Sequence, residues 1–172
     1  MRNYIISSWK NIFFPTSYIL TNNLDIDKPS MSTINKFKKL DSIIYKFVKN
    51  IHSKYQLVII TNKNTNWINF CMKLLPKTSL LYYNNVIYII SSSDLYSNIF
   101  PKEYWKYKTI ELCVNKIICE GSNGFILTIG TSLKNYNILD DTKIYNLDLK
   151  KDPTLDEMLD QLTNIENILK NY

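Results

Sequence analysis

Four short, nearly unbroken apolar runs constrain this chain more than any other feature. Tyr4-Ile5-Ile6 runs into Ser7-Ser8, residues 56–61 (QLVIIT) into Asn62, residues 86–90 (VIYII) into Ser91-Ser92-Ser93-Asp94, and residues 125–129 (FILTI) into Gly130-Thr131-Ser132. A strand that shows one face to water alternates apolar with polar residues. A strand covered on both faces has no reason to, and reads as a continuous β-branched run. Strands of that kind belong to parallel sheets, which need a crossover helix between successive strands. The segments between the runs are long enough to supply such helices. The pattern therefore predicts an α/β protein with a three-layer, Rossmann-like parallel sheet and helices on both faces.

The helical segments carry their own signals. Ser30 is placed to cap a long helix in which Met31, Ile34, Phe37, Leu40, Ile44, Phe47, Val48 and Ile51 recur on one side. Lys36, Lys38, Lys39, Lys46 and Lys49 fall mostly on the other. Thr65 or Asn66 can cap a second helix carrying Trp67, Phe70, Cys71, Leu74 and Leu75, with Pro76 marking its end. Residues 101–119 repeat with helical period through Trp105, Ile110, Leu112, Val114 and Ile117, and residues 144–149 (IYNLDL) alternate as an edge strand does. Pro153 opens a closing helix with Thr154 in its first turn and a stripe through Leu155, Met158, Leu159, Leu162, Ile165 and Leu169. Asp156 and Glu157 suit the positive end of that helix dipole. With 172 residues and neither repeats nor a low-complexity linker, residues 1–172 read as one domain.

Composition narrows the functional classes. A net charge of +6 permits nucleic acid or an anionic surface as partner, but the lysines are dispersed, with 36–39 and 150–151 as the tight clusters, and no zinc, RNA-recognition or basic-region pattern accompanies them. Cys71, Cys113 and Cys119 lack metal-ligand spacing, and His52 is the single histidine. An odd cysteine count with no leader-like segment points to a reducing, cytoplasmic location. No window approaches the roughly 20 apolar residues of a membrane span.

In order and spacing, the four strand ends resemble the motifs of the haloacid dehalogenase-like (HAD) phosphatase superfamily. The likeness is to a compact subgroup from protists and large DNA viruses, without a large cap domain, whose opening motif reads F-D-W-D-D-T-L-L-P-T-S. Trp9 and Pro15-Thr16-Ser17 keep that pattern, and residues 58–62 with Trp67 match the second motif, a strand ending in T-N. Ile89-Ile90-Ser91-Ser92 and Trp105-Lys106 look like the third-strand and lysine motifs, and Ile129-Gly130-Thr131-Ser132 stands where the family has I-G-D-S. The resemblance spans residues 3–170 and implies that Thr61, Asn62 and Lys106 would hold a phosphoryl group.

The departures from that pattern decide the chemistry. Ser8 and Lys10 occupy the positions of the family's nucleophilic and acid aspartates, and Thr131 that of a magnesium-binding aspartate. Nucleophilic attack of this type needs a carboxylate or an activating base, and His52 lies far along the chain. Magnesium needs hard oxygen ligands, which an ammonium at position 10 would oppose. The expectation is a pseudoenzyme with no catalytic residue, no metal and no cofactor. Its HAD-like fold would serve as a binding or structural component with protein partners, in a viral or other assembly located in host cytoplasm or virion. The alternative is a nucleic-acid, nucleotide or phosphate-binding protein that uses the basic crevice and the helix through Lys36 to Lys49. Residual phosphatase activity is the third reading, with Ser8 lacking a base. Trp9 and Trp67 are expected to pack in the core.

Overall fold

A computed structural model describes residues 3–119, 125–130 and 144–170. The elements in chain order are β1 (Asn3–Ser8), α1 (Thr16–Thr21), α2 (Met31–Ile51), β2 (Tyr55–Thr61), α3 (Thr65–Leu74), α4 (Pro76–Tyr83), β3 (Ile87–Ser91), α5 (Ser92–Tyr96), α6 (Lys102–Cys119), β4 (Ile126–Ile129), β5 (Ile144–Leu147) and α7 (Leu155–Lys170). The strands form one sheet in the order β3-β2-β1-β4-β5, and every pairing is parallel. Five parallel strands flanked by helices make the Rossmann-like α/β architecture that the apolar runs predict. β1 is central, with Ile5 in register with Leu57 on one side and Leu127 on the other.

Two packed layers follow from the period of two along the strands. Ile5, Leu57, Ile59, Leu127 and Ile129 share the larger core with Phe37, Leu40 and Ile44 of α2, Cys71 of α3, Leu81 of α4 and the buried stripe of α7. Ile6, Val58, Ile60 and Ile126 face the other way and meet Ile110, Cys113, Val114 and Ile117 of α6. Strand residues buried on both faces cannot tolerate a polar alternation, which is why β2, buried along its whole length, shows none.

Several local expectations shift. Met31 is 69% exposed and Leu112 51%, so each falls off its buried stripe. α3 is capped by Asn64, whose side chain accepts from the Trp67 N–H at 2.9 Å, rather than by Thr65 or Asn66. Pro76 ends one helix and also opens the next, at a position where a missing N–H costs nothing. The cap of α4 comes from another helix: the Asp41 carboxylate of α2 accepts from Lys77 N (2.9 Å), Thr78 N (2.8 Å) and Thr78 Oγ1 (2.7 Å). Ser30 does cap α2, accepting from Thr33 N at 3.2 Å. Thr154 precedes α7 and forms a reciprocal box with Glu157, each side chain accepting from the other's backbone N–H. Among the described residues no helix is long and apolar enough to cross a membrane.

Candidate functional site

Ser8 is the last residue of the central strand, and the chain beyond it makes a tight return. Trp9 N donates to Ile60 O (3.0 Å), which extends the strand pairing by one bond. Phe13 N and Phe14 N then both fold back onto Trp9 O (3.2 and 3.1 Å), and Asn11 takes a left-handed φ of 63° to allow it. The return is pinned from below by aromatic packing. Trp9 stacks on Phe14 with centroids 5.6 Å apart and planes 8° from parallel, and Phe14 meets Trp67 edge-on at 6.3 Å. Both tryptophans pack as expected, Trp9 fully buried and Trp67 half-buried. Ser8 and Lys10 are thereby held at fixed points on the sheet edge.

The Asn11 side chain fastens this return to the segment after β5. Its Nδ2 donates to Ser17 Oγ (2.7 Å) and to Lys151 O (2.8 Å), and its Oδ1 accepts from Ser17 N (2.9 Å). Ser17 Oγ in turn donates to Asp152 Oδ1 at 2.7 Å, and Lys10 Nζ lies 4.0 Å from the same oxygen. The Ser17 hydrogen bond, helped by the charges of Lys10 and Lys151, holds the Asp152 carboxyl below the usual carboxylate range. Residues 148–151 thus border the crevice, a fifth strand end beside the four that the apolar runs point to. The signal was present in the run from Asp148 to Asp152, a polar, charged segment directly after an alternating strand.

Lys106 enters from α6, which the Thr109 hydroxyl anchors to the start of α5, lying 2.7 Å from Ser92 Oγ and 2.9 Å from Trp105 O. From there Lys106 Nζ donates to Ser8 Oγ at 3.0 Å. Burial pushes the ammonium pKa down from 10.5 to about 8. Among the described residues no carboxylate pairs with it. Ser8, Lys10 and Lys106 form the shared wall of a two-lobed cleft. One lobe, of about 320 Å3, continues past Gly130 to Asp148, Lys150 and Lys151. The other, of about 180 Å3, continues past Thr61, Asn62 and Lys63. Gly130 has φ 63°, and a Cβ there would lie 2.5 Å from Ile12 Cδ1 at the mouth of the first lobe.

The crevice therefore brings together Ser8, Lys10, Thr61, Asn62 and Lys106, while Thr131 and the Asp140-Asp141 pair lie outside the described residues. Thr61 Oγ1 already accepts from Lys63 N at 3.1 Å, so its hydroxyl serves a strand-end turn. Asp94 is engaged elsewhere, accepting from Thr65 N (2.8 Å) and Thr65 Oγ1 (2.6 Å) at the start of α3. None of the α2 lysines lines either lobe. His52 caps the end of α2, just before β2 begins and so at the opposite edge of the sheet from Ser8. Among the described residues no group of three His, Cys, Asp or Glu side chains is placed to share a metal ion. Comparison with family models, curated proteins and solved structures finds no match for this chain.

Proposed function

We propose that this protein is a HAD-like pseudophosphatase whose crevice binds a phosphate-type anion as a ligand and does not hydrolyse it. The observation that carries the reading is the state of Lys106. An ammonium that is partly buried, lacks a carboxylate among the described residues and bonds only to a neutral hydroxyl is under-compensated. An anion in the cleft would supply the missing charge. The surroundings have the same sign, since Lys10, Lys63, Lys150 and Lys151 line the lobes and Asp148 is the one carboxylate among the described lining residues. Two of these lysines have acidic neighbours, Lys10 near Asp152 and Lys150 on Glu157 at 2.6 Å, and among the described lining lysines Lys106 is the least exposed to water.

The HAD-like part of the proposal is supported by convergence. Ser8, Thr61 and Lys106 are matched to three different motifs of that superfamily, and all three line one lobe. A serine at position 8 and a lysine at position 10 leave metal-assisted phosphoryl transfer without its carboxylates. Titration calorimetry with inorganic phosphate, together with a magnesium-supplemented 4-nitrophenyl phosphate assay, tests both halves. The expected result is phosphate binding that weakens with salt and is lost in Lys106→Met, with no turnover. Magnesium-dependent turnover that disappears in Ser8→Ala would overturn the proposal, as would wild-type phosphate binding by Lys106→Met.

A further inference from the structure

The contact between Ser8 and Lys106 is more than a positional coincidence at the cleft wall. We propose that Ser8 Oγ and Lys106 Nζ form a nucleophile–base dyad that accepts an acyl group from a small activated carboxylic ester bearing an anionic group. This goes beyond phosphate binding, and it gives Ser8 a role that the loss of the family's aspartates would otherwise leave empty. The two atoms are 3.0 Å apart, within the reach required for proton transfer between a hydroxyl and a positioned base. Ser8 is 8% exposed, yet it lines both lobes, so its Oγ is shielded from bulk water and open to a small ligand.

A serine beside an ordinary lysine would be inert, because an ammonium cannot accept a proton. With a pKa near 8, about a tenth of Lys106 is the free amine at pH 7. Among the described residues the charged groups lining the same lobes from outside α6 are Lys10, Lys63, Lys150, Lys151 and Asp148, and on α6 itself Lys102 and Glu103 lie about one turn away. Burial favours the neutral form of Lys106. Among the described lining residues lysines outnumber carboxylates, which favours a substrate that carries negative charge. Among the described residues the backbone N–H of Lys10, two residues beyond the nucleophile, has no acceptor, and it is the candidate donor to the developing oxyanion.

The step balances without any further reagent. Ser8 Oγ bonds to the acyl carbon as its proton passes to the Lys106 amine. The carbon–oxygen bond to the leaving alcohol then breaks, and the Lys106 ammonium returns the proton to that alcohol, leaving an acyl ester on Ser8. Water, deprotonated by the amine, releases the acid and restores the serine.

The probe is 4-nitrophenyl hemisuccinate, followed by nitrophenol release, intact-protein mass and peptide mapping. The expected result is a succinyl ester on Ser8 that forms at least about 100-fold faster than in Lys106→Arg. In the wild type its rate should rise with pH and level off above about 8, following Lys106. Arginine keeps the positive charge but cannot act as a base. Wild-type protein that binds phosphate by calorimetry yet forms no adduct with the ester would overturn this inference and leave the anion-binding one standing, so the two failures are distinguishable. No adduct at Ser8, an amide on Lys106 Nζ in its place, acylation of Lys106→Arg at the wild-type rate, or a wild-type rate that climbs steadily to pH 10 would each overturn the dyad.

Discussion

Replacing Lys106 with methionine should make the protein more stable at neutral pH while abolishing its anion site. The fold holds the Lys106 pKa at about 8 against an ordinary value of 10.5, and burial is the cause. At about 1.4 kcal/mol for each tenfold change in proton affinity, that difference amounts to about 3 kcal/mol of penalty on the charged form. The sign runs in one direction only. Below about pH 8 the lysine is charged in both folded and unfolded chains, and the full penalty opposes folding. Between about 8 and 10.5 the unfolded chain binds more protons than the folded one, so stability attributable to this group rises with pH. Methionine, with similar length and no charge, removes the penalty and this segment of the pH dependence together. Urea titrations at pH 7 and pH 9.5, read by tryptophan fluorescence, would compare the two proteins. The variant should gain up to about 3 kcal/mol at pH 7, with a smaller advantage at pH 9.5. A variant that is less stable than wild type at pH 7, or an advantage that does not change with pH, would refute the reasoning. Saturating phosphate should narrow the gap by stabilising the wild type alone.

Two further perturbations probe the frame around the cleft. Asp41→Ala strips two backbone amides and the Thr78 hydroxyl of their acceptor at the start of α4, and Thr78 is fully buried. Its midpoint in urea should fall by the equivalent of about 3 kcal/mol with the m-value unchanged, and a loss under about 1 kcal/mol would show that water replaces the carboxylate. Gly130→Ala forces a side chain into a left-handed conformation and against Ile12 Cδ1, at a cost of about 2–3 kcal/mol. Ile12→Val removes the clashing methyl, so the double variant should recover part of that loss, and a strictly additive mutant cycle would exclude the contact as its cause.

How much of this was legible depends on the range of the forces involved. The sheet announced itself because burial on both faces acts on every residue of a strand. Runs such as residues 56–61 have no other economical explanation. Stripes such as Phe37, Leu40, Ile44 and Phe47 were equally plain. Single-residue choices were not. Asn64, Thr65 and Asn66 are all competent caps, and which one wins depends on where the preceding turn delivers the chain. Nothing local marks Asp41 as a cap, because its partners lie 36 and 37 residues away. At the site, the convergence of Ser8 and Thr61 follows from their places at the ends of adjacent strands and was foreseeable. The 3.0 Å approach of Lys106 to Ser8 depends on how α6 sits against α5, which no local pattern encodes. The reading of Ser8 as a serine without a base rested on His52 alone, and proximity in three dimensions supplied a different candidate.

The position of β1 at the centre of the sheet has a consequence for the order in which the molecule can assemble. During synthesis one edge of β1 finds its partner soon, since Asn3 pairs with Tyr55. The other edge must wait for residue 126, which pairs with Tyr4. At the usual pace of a ribosome, about 5–20 residues per second, that interval leaves a bare, apolar strand edge open for several seconds. Such an edge is a template for pairing with other chains. Lys106 and the 148–151 border emerge only near or after the end of that wait. A nascent chain therefore carries its greatest risk of misassociation before its cleft exists, and a ligand for the cleft offers no protection until the sheet has closed.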